Sequence, residues 1–161
     1  KPVAIHHHML MGLLPPPETD LEGYDRAIHM KMSKSNPDSA IFMLDSKKEI
    51  KRKITKAYCP PKDVKENPVL EYCKYIIFEL VDTFNISRPD KYGGDVSYTS
   101  YLDLEADYAK DDLTPMDLKP AVITYLNEFL EPIRKHFQEN ERAKKLYDFV
   151  KKEYKKAQSN T

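Results

Sequence analysis

The chain has 161 residues, with 26 basic and 26 acidic side chains that balance to a formal charge of zero. That length fits one ordinary domain or two small ones, and the balance excludes a global basic field of the kind that marks a nucleic-acid binder by charge alone. Two cysteines, Cys59 and Cys73, are too few for a disulfide framework and lack metal-ligand spacing, which fits a reduced, cytoplasmic compartment. No apolar run approaches the ~20 residues of a membrane span, and no secretory signal pattern opens the chain. The first residue is Lys1, which enters an apolar run directly, and the chain reads as cut from something longer.

Pro2-Val3-Ala4-Ile5 is a short apolar run between polar residues, the pattern of a buried strand. Its exit, His6-His7-His8-Met9-Leu10-Met11-Gly12-Leu13, holds three adjacent histidines. Consecutive strand positions point to opposite faces and converge poorly on one ion, so no metal site is assigned. Residues 14–30 carry Pro, Gly and acidic residues without a sustained period and read as a loop. Lys31-Met32-Ser33-Lys34-Ser35 follows. Two ammonium groups three residues apart, with hydroxyls between and beside them, suit a polyphosphate. If that phosphate is a leaving group, the same charges stabilise the negative charge that develops on it. The plain alternative is a solvated basic turn.

Asn36-Pro37-Asp38 is a turn signal, and Ile41-Phe42-Met43-Leu44 is an apolar stretch expected to anchor the loop's far end. Ser46 and Glu49 fit a capping box for a helix with Ile50, Ile54, Ala57 and Tyr58 on one face. Its other face carries Lys47, Lys48, Lys51, Arg52 and Lys56, with Lys53 nearby. Such a face is most often simply solvated, but this density of like charge argues for a phosphate backbone beside it. Cys59-Pro60-Pro61 ends the helix. Asn67-Pro68 starts another, whose stripe of Val69, Leu70, Cys73, Ile76, Ile77, Leu80, Val81 and Phe84 predicts a central core helix. Cys73 reads as a small buried hydrophobe. Strand-like fragments in 86–95 and 96–98 flank a turn at Gly93-Gly94. Ser100 caps a further helix, with Leu102, Leu104 or Glu105, and Tyr108 on its faces. Thr114-Pro115-Met116-Asp117 starts a long amphipathic helix through Ile133, kinked near its end by Pro132. Asn140 opens a last helix with Ala143, Leu146, Tyr147, Val150 and Tyr154 on one side. The organisation is therefore mostly α in two blocks, residues 1 to about 45 and residues 46–161, and the first has too few strands to form a sheet of its own.

The stretches KPVAIHHHMLMGL and KMSKSNPDSAIFMLDS resemble the nucleotide turn and signature loop of a class I aminoacyl-tRNA synthetase, the loop that closes over ATP. The tyrosyl and tryptophanyl enzymes are the most similar of that class. AYCPP, ENPVLEYCKYIIF, RPDKYGGDVSYTSYLDLEADY and TPMDLKPAV resemble the C-terminal part of archaeal and eukaryotic tyrosyl-tRNA synthetases. The resemblance runs from Lys1 to about Phe137.

The resemblance implies that residues 1–45 are the C-terminal edge of a Rossmann-like α/β catalytic domain, and that residues 46–161 are a helical anticodon-binding domain. It implies a tyrosine–tRNA ligase that forms tyrosyl-adenylate from ATP with Mg²⁺ and passes the tyrosyl group to tRNA(Tyr). Lys31 and Lys34 would be its catalytic cations. Met32, Ser33 and Ser35 would contact ATP, with the His8–Leu10 turn as the adenine floor. Pro89, Tyr92 with Arg88 beside it, Thr114 and Asp117 would read the anticodon, with Asp117 accepting from a guanine edge. Relatives often carry histidine where Thr114 stands, which leaves Tyr92 as the stacking platform. The connection at 14–30 is longer than is usual among them. No His-x-Gly-His element and no tyrosine pocket are present, so the segment alone is not expected to activate an amino acid. It would work with a missing N-terminal half, through which a homodimer would form. Two other readings stand beside this one: a tryptophanyl-tRNA synthetase fragment, and a non-catalytic tRNA-binding module of the same fold. Lys31 and Lys34 together favour the enzyme, because reading an anticodon needs neither.

Overall fold

The computed structural model describes residues 3–5, 7–17 and 22–159. Among the sequence expectations, Pro2, His6, residues 18–21 and the terminal Asn160 and Thr161 lie outside them. The chain is mostly helical, with one two-stranded sheet. Helices α1 (Gly23–Met30) and α2 (Lys47–Lys56) come first. Helix α3 spans 68–80, starting as Pro68–Tyr72, passing through a π-helical turn at Cys73–Ile77 and finishing as Phe78–Leu80. Strands β1 (Phe84–Ile86) and β2 (Val96–Tyr98) pair antiparallel, with Phe84 opposite Tyr98 and Ile86 opposite Val96. Helices α4 (Tyr101–Lys110), α5 (Pro115–Glu139) and α6 (Glu141–Ser159) complete the chain. No helix among the described residues is long and apolar enough to cross a membrane.

The helix starts follow their caps. Ser46 Oγ accepts the Glu49 N–H at 3.2 Å, while the Glu49 carboxylate turns to Arg52. Asn67 is fully buried and accepts from the Val69 and Leu70 amides, so two of the orphan donors of α3 are satisfied inside the core. Asn140 Oδ1 accepts the Ala143 N–H where α6 begins. The core is one cluster: Ile50 and Ile54 of α2, Val69, Leu70, Cys73 and Ile77 of α3, Phe84 and Ile86 of β1, Leu104 and Tyr108 of α4, and Leu118, Val122 and Leu126 of α5. Leu13 joins the same cluster. The Tyr125 ring meets Phe84 edge-on at 4.9 Å and closes the sheet onto α5.

Several expectations are corrected. Val3–Ile5 is not a strand, and Val3 and Ile5 are 89% and 86% exposed. A strand needs a neighbour for its N–H and C=O groups, and among the described residues none pairs with it. The second half of the 14–30 loop is helix α1. It buries no residue, and its two turns are too short for a period to show; a bidentate pair from Arg26 to Glu66, at 2.6 and 2.7 Å, holds it instead. The core helix stops at Leu80, which is exposed, and Phe84 belongs to β1. Helix α5 continues past Pro132 to Glu139. The apolar side of α6 exists as a pattern, but Leu146, Val150 and Tyr154 are exposed.

Of residues 41–44, Ile41 packs against the core, while Phe42 and Met43 are exposed. A polar anchor stands beside it. Lys53, expected beside the cationic face of α2, is 3% exposed; its Nζ donates to Asp45 Oδ2 at 2.7 Å and to the Ala40 carbonyl at 2.8 Å. Asp45 Oδ2 also accepts the Phe42 N–H. Arg134 of α5, 8% exposed, reaches the Asp45 carbonyl at 3.2 Å and the Asn127 carbonyl at 2.7 Å. Removing one member of a buried ion pair strands the other. Lys53→Met is expected to cost about 3–5 kcal/mol in urea unfolding, and the double variant Lys53→Met/Asp45→Leu to recover most of that loss.

Candidate nucleotide and RNA sites

The stretch 8–13 lies beside the dibasic loop because backbone hydrogen bonds join them. Met11 and Lys31 form an antiparallel bridge. The Gly12 N–H donates to the Met30 carbonyl at 2.6 Å, and the Leu13 N–H to the Ser39 carbonyl at 2.9 Å. Gly12 suits this approach: a Cβ there would sit 3.1 Å from the Met30 oxygen and 3.3 Å from that of Lys31, so the backbone would have to give by a few tenths of an ångström. On the other side, the Tyr58 N–H donates to the Leu13 carbonyl and ties the stretch to the end of α2.

An open cleft of about 570 Å³ results, lined by His7, His8, Met9, Leu10, Lys31 and Met32, with Tyr75 and Glu79 from α3. Four of the expected nucleotide residues, His8, Leu10, Lys31 and Met32, thus share one cleft. Ser33, Lys34 and Ser35 are not among its lining residues. They form the adjoining tight turn, closed by Asn36 N–H to the Ser33 carbonyl at 3.3 Å, with Ser33 Oγ 2.7 Å from Ser35 Oγ.

Ser39 holds this turn and was not foreseen. It is buried; its Oγ accepts the Ser33 N–H at 2.9 Å and donates to the Asn36 carbonyl at 2.7 Å. Its only signal in the sequence was a small hydroxyl just after Asn-Pro-Asp. Lys31 and Lys34 are exposed, and neither has an ion pair among the described residues. Among those residues no cluster of His, Cys, Asp and Glu could hold a metal ion.

On the cationic face of α2, Lys48, Lys51 and Lys56 are exposed without an ion pair among the described residues, while Arg52 and Lys47 have acidic partners. Arg52 makes a bidentate pair with Asp38, at 2.9 and 2.6 Å, and a further bond to Glu49 at 2.8 Å. Lys53 is internal, and Lys47 is 3.4 Å from Glu131 of α5. Hydrogen bonding to Arg52 holds the Asp38 carboxyl below its ordinary value of 3.8, and Arg52 itself is shifted upward by Asp38 and Glu49.

The second site gathers the expected RNA readers. An open pocket is lined by Arg88, Tyr92, Asp111, Asp112, Thr114, Met116 and Asp117. Pro89 sits behind it: its carbonyl accepts the Tyr92 and Gly94 amides, which folds the Asp90–Tyr92 turn. Gly93 and Gly94 have φ of +99° and +71°, values open to glycine at no steric cost. Arg88 braces this turn, donating to the Gly94 carbonyl at 2.6 Å and to the Asp112 carbonyl at 2.8 Å. The Tyr92 ring is 60% exposed, with the Lys91 ammonium 4.6 Å from its centre. Asp117 Oδ2 accepts the Thr114 N–H at 3.0 Å and the Thr114 hydroxyl at 2.6 Å. These bonds use one carboxylate oxygen and leave the capacity of the other. Asp111, Asp112 and Met116 were not singled out from the sequence, where they look like ordinary loop and first-turn residues.

The model for tRNA synthetases class I (W and Y) matches residues 13–131, and the chain belongs to that family. Its relatives include the tyrosine–tRNA ligase of Pyrococcus furiosus, 50% identical over 143 residues, with 86% of this chain and 38% of that protein covered. Tyrosine–tRNA ligase 1, cytoplasmic, of Arabidopsis thaliana is 47% identical over 151 residues, covering 94% and 36% respectively. Among solved structures, the tyrosyl-tRNA synthetase of Pyrococcus horikoshii complexed with L-tyrosine superposes with a TM-score of 0.79 at 45% identity, over 88% of this chain and 39% of that one. The chain spans about two fifths of the length of these relatives.

Acid titration tests the loop's fastening to α2. A carboxylate with a lowered folded-state value stabilises fully above its unfolded value, and that contribution is lost as pH falls through the folded one. The melting-temperature difference between the native chain and Asp38→Asn should be constant above about pH 5 and shrink below 3.8.

Proposed function

We propose that this chain is the C-terminal part of a tyrosine–tRNA ligase. It supplies the loop that closes over ATP and the surface that reads the anticodon of tRNA(Tyr). Residues 1–45 act as the end of the Rossmann-like catalytic domain, and residues 46–161 as the anticodon-binding domain. The observation that carries the reading is the shared cleft of His8, Leu10, Lys31 and Met32, beside a second ammonium at Lys34, with both lysines free of ion pairs among the described residues. The relatives' names supply the amino acid.

In the first step the tyrosine carboxylate attacks the α-phosphate of ATP in line, an acyl–phosphate bond forms, and the bond to pyrophosphate breaks. Catalysis of such a step is mostly positioning and charge neutralisation. Lys31 and Lys34 neutralise the departing pyrophosphate. Ser33 and Ser35 donate hydrogen bonds to it once their mutual contact opens. Met32 lies towards the adenine, and the His8–Leu10 turn forms its floor. ATP enters as its Mg²⁺ complex. In the second step the tyrosyl group passes to a ribose hydroxyl of tRNA(Tyr). Single-stranded bases are read by stacking and edge hydrogen bonds; Tyr92 offers the exposed face and Asp117 the acceptor, with Pro89 and Thr114 shaping the turn and helix start that present them. The N-terminal half of the enzyme provides the tyrosine pocket and the homodimer contact, and the cytoplasm is the site of action.

ATP–pyrophosphate exchange by the full-length protein tests the reading. Exchange is expected with tyrosine; exchange with tryptophan instead, or none with either, overturns it. Lys34→Met should slow adenylate formation by roughly 10²–10³, the cost of one preorganised charge donor, and leave tRNA affinity largely alone. Tyr92→Ala should do the reverse, weakening tRNA(Tyr) binding by about 1–3 kcal/mol with adenylation unchanged.

A further inference from the structure

Helix α3 touches the nucleotide turn at a place the proposed chemistry does not use. Glu71 and Tyr75 lie four residues apart, on the face of α3 that meets residues 8–11. The Glu71 side chain is only 18% exposed. Its Oε2 accepts the Met11 N–H at 2.8 Å, and its Oε1 lies 3.0 Å from His8 Nε2. The Tyr75 ring stacks on the His8 imidazole, with centroids 4.0 Å apart and planes 15° from parallel. Tyr75 sits within the π-helical turn 73–77, while Cys73 and Ile77 of the same turn are fully buried in the bundle core. π turns of this kind are frequent at functional sites.

We infer that Glu71 is a positioning residue for the nucleotide turn, a clasp by which α3 sets the backbone direction at Leu10–Met11. The inference rests on the proposed function and deepens it. The peptide unit is planar and trans, so its N–H and C=O point in opposite directions. Binding the Met11 N–H to a fixed carboxylate therefore aims the Leu10 carbonyl away from α3. A carboxylate acceptor makes this bond stronger than a neutral one would. The second oxygen and the Tyr75 ring hold His8 from two sides, so that the turn cannot rotate without breaking both contacts. The other strand of the turn is already fixed by Gly12 against Met30. Between these two restraints the floor of the cleft has one orientation, and nucleotide affinity depends on it.

The test is full-length enzyme carrying Glu71→Leu or Glu71→Gln. Glutamine keeps the shape and one acceptor oxygen; leucine removes both. The KM for ATP in pyrophosphate exchange should rise about tenfold or more in Glu71→Leu, the weight of one charge-assisted hydrogen bond. Glu71→Gln should fall between it and the native enzyme, and the KM for tyrosine should stay within twofold. Hydrogen exchange at the Met11 amide should accelerate in the same order. A residue that served only fold stability would lower the melting temperature and leave the two KM values in their native ratio, and that result overturns the clasp. So does native protection of the Met11 amide in Glu71→Ala, which also leaves that N–H no side-chain acceptor and can be read even if the leucine variant fails to fold. Absence of tyrosine-dependent exchange in the unmodified enzyme sinks the proposed function instead, and the Met11 amide then still reports on the clasp.

Discussion

The buried ammonium of Lys53 is the contact on which the placement of the dibasic loop depends. A charge removed from water must be paired and hydrogen-bonded, or its burial is prohibitive. Here the requirement is met only if residues 40–45 run in one path: the Ala40 carbonyl and the Asp45 carboxylate must both face Nζ. Arg134 donates to the Asp45 carbonyl, which brings α5 into the same network. The loop is thus registered against two helices by polar groups as well as by Ile41, which packs against the core.

Charge is distributed unevenly around this anchor. The buried cations are compensated, Lys53 by Asp45 and Arg134 by Glu131, and so is the half-buried Arg52, by Asp38 and Glu49. The two lysines of the loop have no ion pair among the described residues. A chain of zero formal charge can therefore still present a local positive field, because acidic groups are spent on the scaffold and withheld from the loop. The tight Ser33–Asn36 turn, held from below by Ser39, presents those ammonium groups without burying them.

The second pocket is built by comparable local means. Two left-handed glycines and the guanidinium of Arg88 fold a turn that leaves the Tyr92 ring exposed, while Asp117 caps its own helix through one oxygen. The inner side of helix α3 is core, its outer side meets the turn at residues 8–11, and that turn shares the hydrophobic cluster through Leu13.

Local chemistry was legible in the sequence wherever a residue acts on its immediate neighbours. The Asn67-Pro68 and Thr114-Pro115 helix starts, the cap at Ser46, the glycine turn and the apolar stripe of α5 all follow from caps, φ preferences and periodicity within a few residues. The family resemblance, carried by ordered motifs, was legible for the same reason. What needed the tertiary structure was every feature whose cause lies far along the chain. Helix α1 is tied down by Arg26 to Glu66, forty residues on. The Val3–Ile5 run pairs with no strand among the described residues. Lys53 looks like one more surface lysine until Asp45 and Ala40 are folded over it, and Glu71 like a first-turn acid until Met11 arrives beside it. Periodicity reports which face of an element is apolar; it carries no information about which polar group will meet which across space, and here those meetings decide where the loop and the turn sit.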